Sequence, residues 1–247
     1  MKTIKDIDVT NKKVIVRVDY NVPIINDRIL DNNRIVASLE TINYLLSKNA
    51  KIILMSHLGK IKTKSDLEAN SLKPVRDELS ILLHKDIKFS STLKGKELDD
   101  LVNNLNPGDI LLLENTRYMD YPDKLESNCD IELSKYWASL GDVYILDAFA
   151  SSHRRHASTV GIPSYLPHAV GFLVERELQE LDEIKKENKT LLLGGAKVDD
   201  KLSLIEYLLP TSDKILLGGR MCATFIKSEG YEVGKTETND ALLDKCK

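Results

Sequence analysis

The sequence predicts a three-layer α/β protein built on a parallel sheet. Three observations carry this. Short runs of Val, Ile and Leu recur along the whole chain, amphipathic helical stretches separate them, and the runs are apolar on both faces, as strands covered by helices on each side must be. Val14–Val18, Ile52–Met55, Ile110–Leu113, Val143–Leu146, Leu191–Leu193 and Ile215–Leu217 read as buried strands. Between the first two, Arg34–Ser47 carries Ile35, Leu39, Ile42, Leu45 and Leu46 at helical spacing, with Asn49 at its C-terminal stop. Leu72–Leu83 places Leu72, Val75, Leu79, Leu82 and Leu83 on one face, and Ile131–Ala138 reads as a further helix. Strand–helix–strand units of this kind connect right-handedly.

Leu173–Lys186 is a further amphipathic helix, with Leu173, Val174, Leu178, Leu181 and Ile184 opposite a charged face. A polar break at Glu187-Asn188-Lys189 follows it. The expected organisation is a first domain over 1–172, a connecting helix over 173–188 and a second domain over 189–247. The first segment is long enough for its own core; the last is marginal for an independent sheet domain.

Composition excludes several function classes. Lys plus Arg is 35 and Asp plus Glu 38, a net charge of -3, so no global basic field points to nucleic acid. No apolar run approaches the ~20 residues a membrane helix needs, and Met1–Lys13 has no signal-peptide core. Three cysteines without metal-ligand spacing (Cys129, Cys222 and Cys246) fit a reduced cytoplasmic protein. No metal site is expected.

Ligands of open parallel sheets bind beyond the carboxyl ends of the strands. The residues that follow the strands are Asp19-Tyr20-Asn21, Ser56-His57-Leu58-Gly59-Lys60, Glu114-Asn115-Thr116-Arg117, and Asp147 with His153-Arg154-Arg155-His156 downstream. Arg34 opens the first helix. Singly, each of these is an ordinary solvated arginine, loop histidine or turn-capping aspartate. Together, His57, Lys60, Arg117, Arg154, Arg155 and Arg34 are cations gathered at one end of a sheet in an acidic protein. That suggests an anionic ligand, with guanidinium forks suited to phosphate and carboxylate oxygens. Asp19 and Asn21 are placed to bond hydroxyls of the same ligand. In the last segment, Leu191–Leu193 runs into Gly194-Gly195-Ala196-Lys197 and a helix that takes in Lys201. Gly218-Gly219 repeats the pattern after Ile215–Leu217. On the glycines alone, two ordinary tight strand–helix turns are the favoured reading; an anion at a helix N-terminus is the functional alternative. If the helix starts by Lys197, the two lysines share a face. The spacing is neither a P-loop nor GxGxxG.

Read together, these loops resemble phosphoglycerate kinase. Val16-Arg17-Val18-Asp19-Tyr20-Asn21-Val22-Pro23 is similar to the family's opening signature, and Met55-Ser56-His57-Leu58-Gly59-Lys60 to its second loop. Leu112-Leu113-Glu114-Asn115-Thr116-Arg117-Tyr118, the stretch from Gly141 to Gly161, and Leu193-Gly194-Gly195-Ala196-Lys197-Val198-Asp199-Asp200-Lys201 follow in family order. The resemblance implies two Rossmann-like domains, the second incomplete here, that close about a hinge. It implies phosphoryl transfer between 1,3-bisphosphoglycerate and ADP, giving 3-phosphoglycerate and ATP, with Mg2+ carried by the nucleotide. Asp19, Asn21, Arg34, His57, Leu58, Gly59, Lys60, Arg117 and Arg154 would bind the phosphoglycerate. Gly194, Gly195, Lys197, Lys201, Gly218 and Gly219 would bind the nucleotide, with Arg34, Lys197 and Lys201 catalytic. A full-length member is expected to be a monomer.

Departures from the family pattern are Lys60-Ile61 for Arg-Pro, Leu146 for Asn, Ala150-Ser151-Ser152 for Gly-Thr-Ala, the added Arg155, and Arg220 for a third glycine. The chain ends where the family's nucleotide domain is unfinished, before its ribose-contacting Glu, its late glycine loop and its final helix. Little or no turnover is expected of these 247 residues alone. The alternative is a truncated, non-catalytic relative that binds phosphoglycerate or a protein partner.

Overall fold

The computed structural model describes residues 1–183 and 189–247, and divides into two compact units, Met1–Glu177 and Leu178–Lys247. The first unit contains β1 (Lys13–Val18), the small hairpin β2 (Ile24–Ile25) and β3 (Arg28–Ile29), α1 (Asn33–Ser47), β4 (Lys51–Met55), α2 (Ser65–Ala69) and α3 (Lys73–Leu83). It continues through β5 (Lys88–Ser90), α4 (Lys96–Asn103), β6 (Ile110–Leu113), α5 (Ile131–Ser139), β7 (Val143–Asp147) and β8 (His168–Val170). The unit boundary falls within α6 (Phe172–Glu183), and the last residues of the helix expected to run to Lys186 lie outside the described residues.

Six strands form one parallel sheet in the order β5-β6-β4-β1-β7-β8. The central strands are buried on both faces because they are apolar on both. Val14, Val16, Ile52 and Leu54 enter one core with Ile35, Ile42 and Leu45 of α1, while Ile15, Ile53 and Met55 enter another with Trp137. The order places β1 between β4 and β7, with β6 beyond β4, and the loops after β4, β6 and β7 carry Lys60, Arg117 and Arg154. Asn49 adopts a left-handed conformation (φ 54°) just beyond α1, the stop its position suggests.

The second unit holds β9 (Lys189–Gly194), α7 (Asp199–Leu208), β10 (Ser212–Gly218), α8 (Cys222–Ser228) and α9 (Leu243–Cys246). β9 and β10 pair in parallel as a two-stranded sheet. Here the expectation of strands buried on both faces is corrected. Leu193, Ile215 and Leu217 pack on Val198, Ile205 and Met221, but Leu192 and Leu216 on the opposite face are 78% and 52% exposed. Among the described residues, helices cover only one face of this pair. Among the described residues no helix is long and apolar enough to cross a membrane, and all three cysteines are free thiols.

Candidate functional site

In the first unit the loops after β1, β4, β6 and β7 leave the sheet at one end, since all four strands are parallel. Hydrogen bonds tie these loops into one surface. Asp19 is buried; its Oδ2 accepts from Arg34 Nη1 at 2.6 Å and its Oδ1 from the Asn21 amide at 3.2 Å. The capping role and the ligand-facing role are thus compatible, because one carboxylate oxygen turns the chain while the other orients a guanidinium. Asn21 Oδ1 accepts from the Gly59 amide at 2.9 Å, and Ser56 Oγ accepts from the Tyr20 amide at 2.8 Å, so the first loop rests on the second. Gly59 takes φ 58°, which disfavours a side chain there.

Asn115 is the staple that sequence reasoning passed over. Its Oδ1 accepts from the amides of Leu58 and Arg117, both at 3.1 Å, and its Nδ2 donates to the carbonyls of Leu58 at 2.7 Å and Asn70 at 2.9 Å. The motif placed Asn115 next to Arg117, but a four-bond brace between loops shows only when the loops are assembled.

The charges differ in kind. Arg34 projects, its side chain 49% exposed. Arg117 is buried and donates from Nη1 to Asp120 Oδ2 at 3.2 Å and Ser127 Oγ at 3.3 Å, while its Nε is buried without a partner. Arg154 is half-buried; Lys60 and Arg155 are exposed. His57 is not one of the cations. Burial and the guanidinium groups of Arg17, Arg117 and Arg154 push its imidazole down to about 2, so it is neutral at ordinary pH. His156 is likewise pushed down to about 4, by burial and by Arg117 and Arg17. Arg17 is fully buried at the β1 end; the sequence places it in an apolar strand and in the opening signature but gives it no role of its own.

In the second unit, the glycine loops after β9 and β10 touch. Gly219 takes φ 72°, and a Cβ on it would sit 2.9 Å from the Gly195 carbonyl oxygen. Met221 donates its amide to that same oxygen at 3.1 Å. Gly194 and Gly218 face each other across the parallel pair. The glycines therefore have a packing reason as well as any ligand. α7 begins at Asp199, so Lys197 lies in the loop and does not share a helix face with Lys201. A polar cleft of about 290 Å³ opens here, lined by Lys197, Asp199, Arg220, Thr224, Glu237 and Asp240 among others. Lys201, in the first turn of α7, is not part of its lining. Arg220 donates from Nε to the Ala196 carbonyl at 3.3 Å and pairs through Nη1 with Glu237 at 3.1 Å.

The model of the phosphoglycerate kinase family matches residues 4–247. The chain belongs to the phosphoglycerate kinase family. It is 50% identical to the phosphoglycerate kinase of Enterococcus faecalis, with all of this chain and 63% of that protein aligned. It is 51% identical to that of Listeria innocua over 99% of this chain and 64% of the relative. A solved phosphoglycerate kinase structure from Coxiella burnetii superposes with a TM-score of 0.86 at 33% identity, covering 99% of this chain and 61% of that one. The chain thus spans just under two thirds of the length of the curated relatives it matches.

Proposed function

We propose that the first unit binds phosphoglycerate and the second contributes nucleotide-binding loops to phosphoryl transfer between 1,3-bisphosphoglycerate and ADP. The observation that carries this reading is the meeting of Asp19, Arg34, His57 and Arg117 at one end of the parallel sheet, in a chain of the phosphoglycerate kinase family. Arg34, Lys60, Arg117 and Arg154 supply positive charge for phosphate and carboxylate oxygens. Asp19 and Asn21 orient the hydroxyl-bearing carbon chain, and the Leu58-Gly59 backbone shapes the floor. Arg34, the exposed fork anchored on Asp19, is assigned to the migrating phosphoryl group. Lys197 and Lys201 neutralise nucleotide phosphates beside Gly194, Gly195, Gly218 and Gly219. Magnesium belongs to the nucleotide substrate, held by its phosphates. No covalent intermediate is required: positioning and charge neutralisation carry phosphoryl transfer.

The test is calorimetric titration of 3-phosphoglycerate into the 247-residue chain and into Arg34→Ala. Saturable binding weakened about tenfold or more in the variant is expected, the loss of one charge-assisted hydrogen-bonding group. No binding to the unaltered chain, with its folded spectrum intact, refutes the assignment. A parallel ATP-forming assay with Mg-ADP separates turnover from binding without it. The second outcome has one observation in its favour, the Arg220 side chain across the cleft that holds Lys197.

A further inference from the structure

Behind His57 lies a chain of buried polar groups to which the sequence motifs assign no role. Glu126 and Ser158 are fully buried, as is Arg17. Glu126 accepts from the Ser158 amide at 2.9 Å and from the Ser158 hydroxyl at 2.5 Å. That hydroxyl in turn accepts from Arg17 Nε at 2.9 Å. Tyr144 holds the Ser158 carbonyl from the other side, its hydroxyl donating at 2.7 Å. Arg17 Nη1 donates to the Val18 carbonyl, and Arg17 Nη2 lies 3.1 Å from His57 Nδ1.

A guanidinium has donors only. The nitrogen it faces must accept, so His57 Nδ1 carries no proton and the ring hydrogen sits on Nε2. Two ends fix the orientation of Arg17: the Ser158–Glu126 pair at Nε and the β1 carbonyl at Nη1. It has no freedom to turn away and let the histidine change tautomer. Among the described residues Nε2 makes no hydrogen bond to protein, which leaves it as the free donor of the ring. We propose that Glu126, Ser158 and Arg17 are positioning residues that hold His57 as a neutral Nε2–H donor. Resting on the substrate reading above, this gives His57 a directional hydrogen bond to a phosphoglycerate oxygen. The arginines alone bring the charge. Sequence reasoning counted His57 with the cations; a buried cation beside three guanidinium groups would cost far more than this neutral ring.

Two-bond proton–nitrogen correlation spectra of the ¹⁵N-histidine-labelled chain, recorded without ligand, read which ring nitrogen is protonated. A single His57 tautomer with the proton on Nε2 is expected; a proton on Nδ1 overturns the proposal. In Ser158→Ala, a mixture of tautomers is expected, and an unchanged His57 spectrum overturns the chain. Binding gives a second arm. His57→Gln presents an amide N–H at the reach of Nε2, whereas His57→Asn presents one at the reach of Nδ1. Affinity for 3-phosphoglycerate is expected to fall by less than about threefold in the first and by about tenfold or more in the second. Equal losses overturn the proposal. If the unaltered chain binds no 3-phosphoglycerate, the substrate reading fails, while the ligand-free spectra still decide the tautomer.

Discussion

Asp147, the last residue of β7, accepts the backbone amide of Leu173 on Oδ1 at 2.9 Å and that of Val174 at 3.4 Å, so a strand end serves the open amides of the first turn of α6. Such amides have no partner within their own helix. The second oxygen, Oδ2, is buried without a partner. Burial pushes the Asp147 carboxyl up to about 6, against the opposing pull of the Thr41 hydroxyl and the two α6 amides.

That shift has a definite sign. The folded state holds the Asp147 proton at pH values where the unfolded chain has lost it. The associated stability is fully present below about pH 4 and is lost as pH rises toward about 6. Asp147→Asn keeps an acceptor for the α6 amides and cannot ionise. The variant is expected to be more stable than the unaltered chain at pH 7, by up to about 3 kcal/mol, with the difference vanishing below about pH 4. Urea unfolding followed by the fluorescence of Trp137, the sole tryptophan and buried in the first unit, measures it. A gap of constant size across that pH range would refute the assignment.

The same contact makes Gly171 sensitive to size. A Cβ at Gly171 would lie 2.4 Å from Asp147 Cγ, closer than any real contact. Gly171→Ala must displace either the buried carboxyl or the start of α6, and destabilisation of about 1–3 kcal/mol is expected. The double variant with Asp147→Asn is expected to be non-additive, since both changes act on one contact.

Asn115 offers a prediction about loop order. Asn115→Ala removes a brace of four hydrogen bonds and leaves the amides of Leu58 and Arg117 and the carbonyls of Leu58 and Asn70 to find other partners. A loss of about 2–4 kcal/mol is expected, from a buried network left unsatisfied. Amide hydrogen exchange at Leu58 and Gly59 is expected to accelerate more than exchange in β4 itself. Uniform acceleration across the unit would show that the brace orders the fold and not the loop.

How far the sequence could be read depended on where the determining contacts lie. Val14–Val18 and Ile110–Leu113 were legible because both of their faces are covered, and a continuous apolar run leaves little else for them to be. β5 and β8 were not: Lys88-Phe89-Ser90 and His168-Ala169-Val170 are three-residue strands at the sheet edges, too short and mixed to show a period. The hydrophobicity of Leu192 suggested burial that a two-stranded, one-sided sheet does not provide. At the site, Asp19 and Arg117 could be found because each follows a strand, and Arg34 because it opens the first helix close to the first loop. Arg17 sits inside a strand, and its partner Ser158, with Glu126 bonded behind it, comes from a distant segment. Nothing local marks an arginine in an apolar run as buried and braced.

The last prediction concerns Arg220, which stands where the family pattern has glycine. Its side chain spans from the Ala196 carbonyl to Glu237 along the cleft that contains Lys197. Both partners in the ion pair are exposed, so the pair contributes at most about 1 kcal/mol to stability. Arg220→Ala is therefore expected to leave the melting temperature nearly unchanged while opening the cleft beside Lys197. If the side chain obstructs a nucleotide, ADP binding tightens in the variant, and that is the expected result. The competing role is a fork that leaves Glu237 to take a phosphate, for which the loss of a charge-assisted group would weaken ADP about tenfold or more. Titration of Mg-ADP into both proteins at two salt concentrations separates the two: tighter binding in the variant with an unchanged salt dependence fits an obstruction. Weaker binding with a shallower salt dependence identifies Arg220 as a phosphate contact and refutes the prediction.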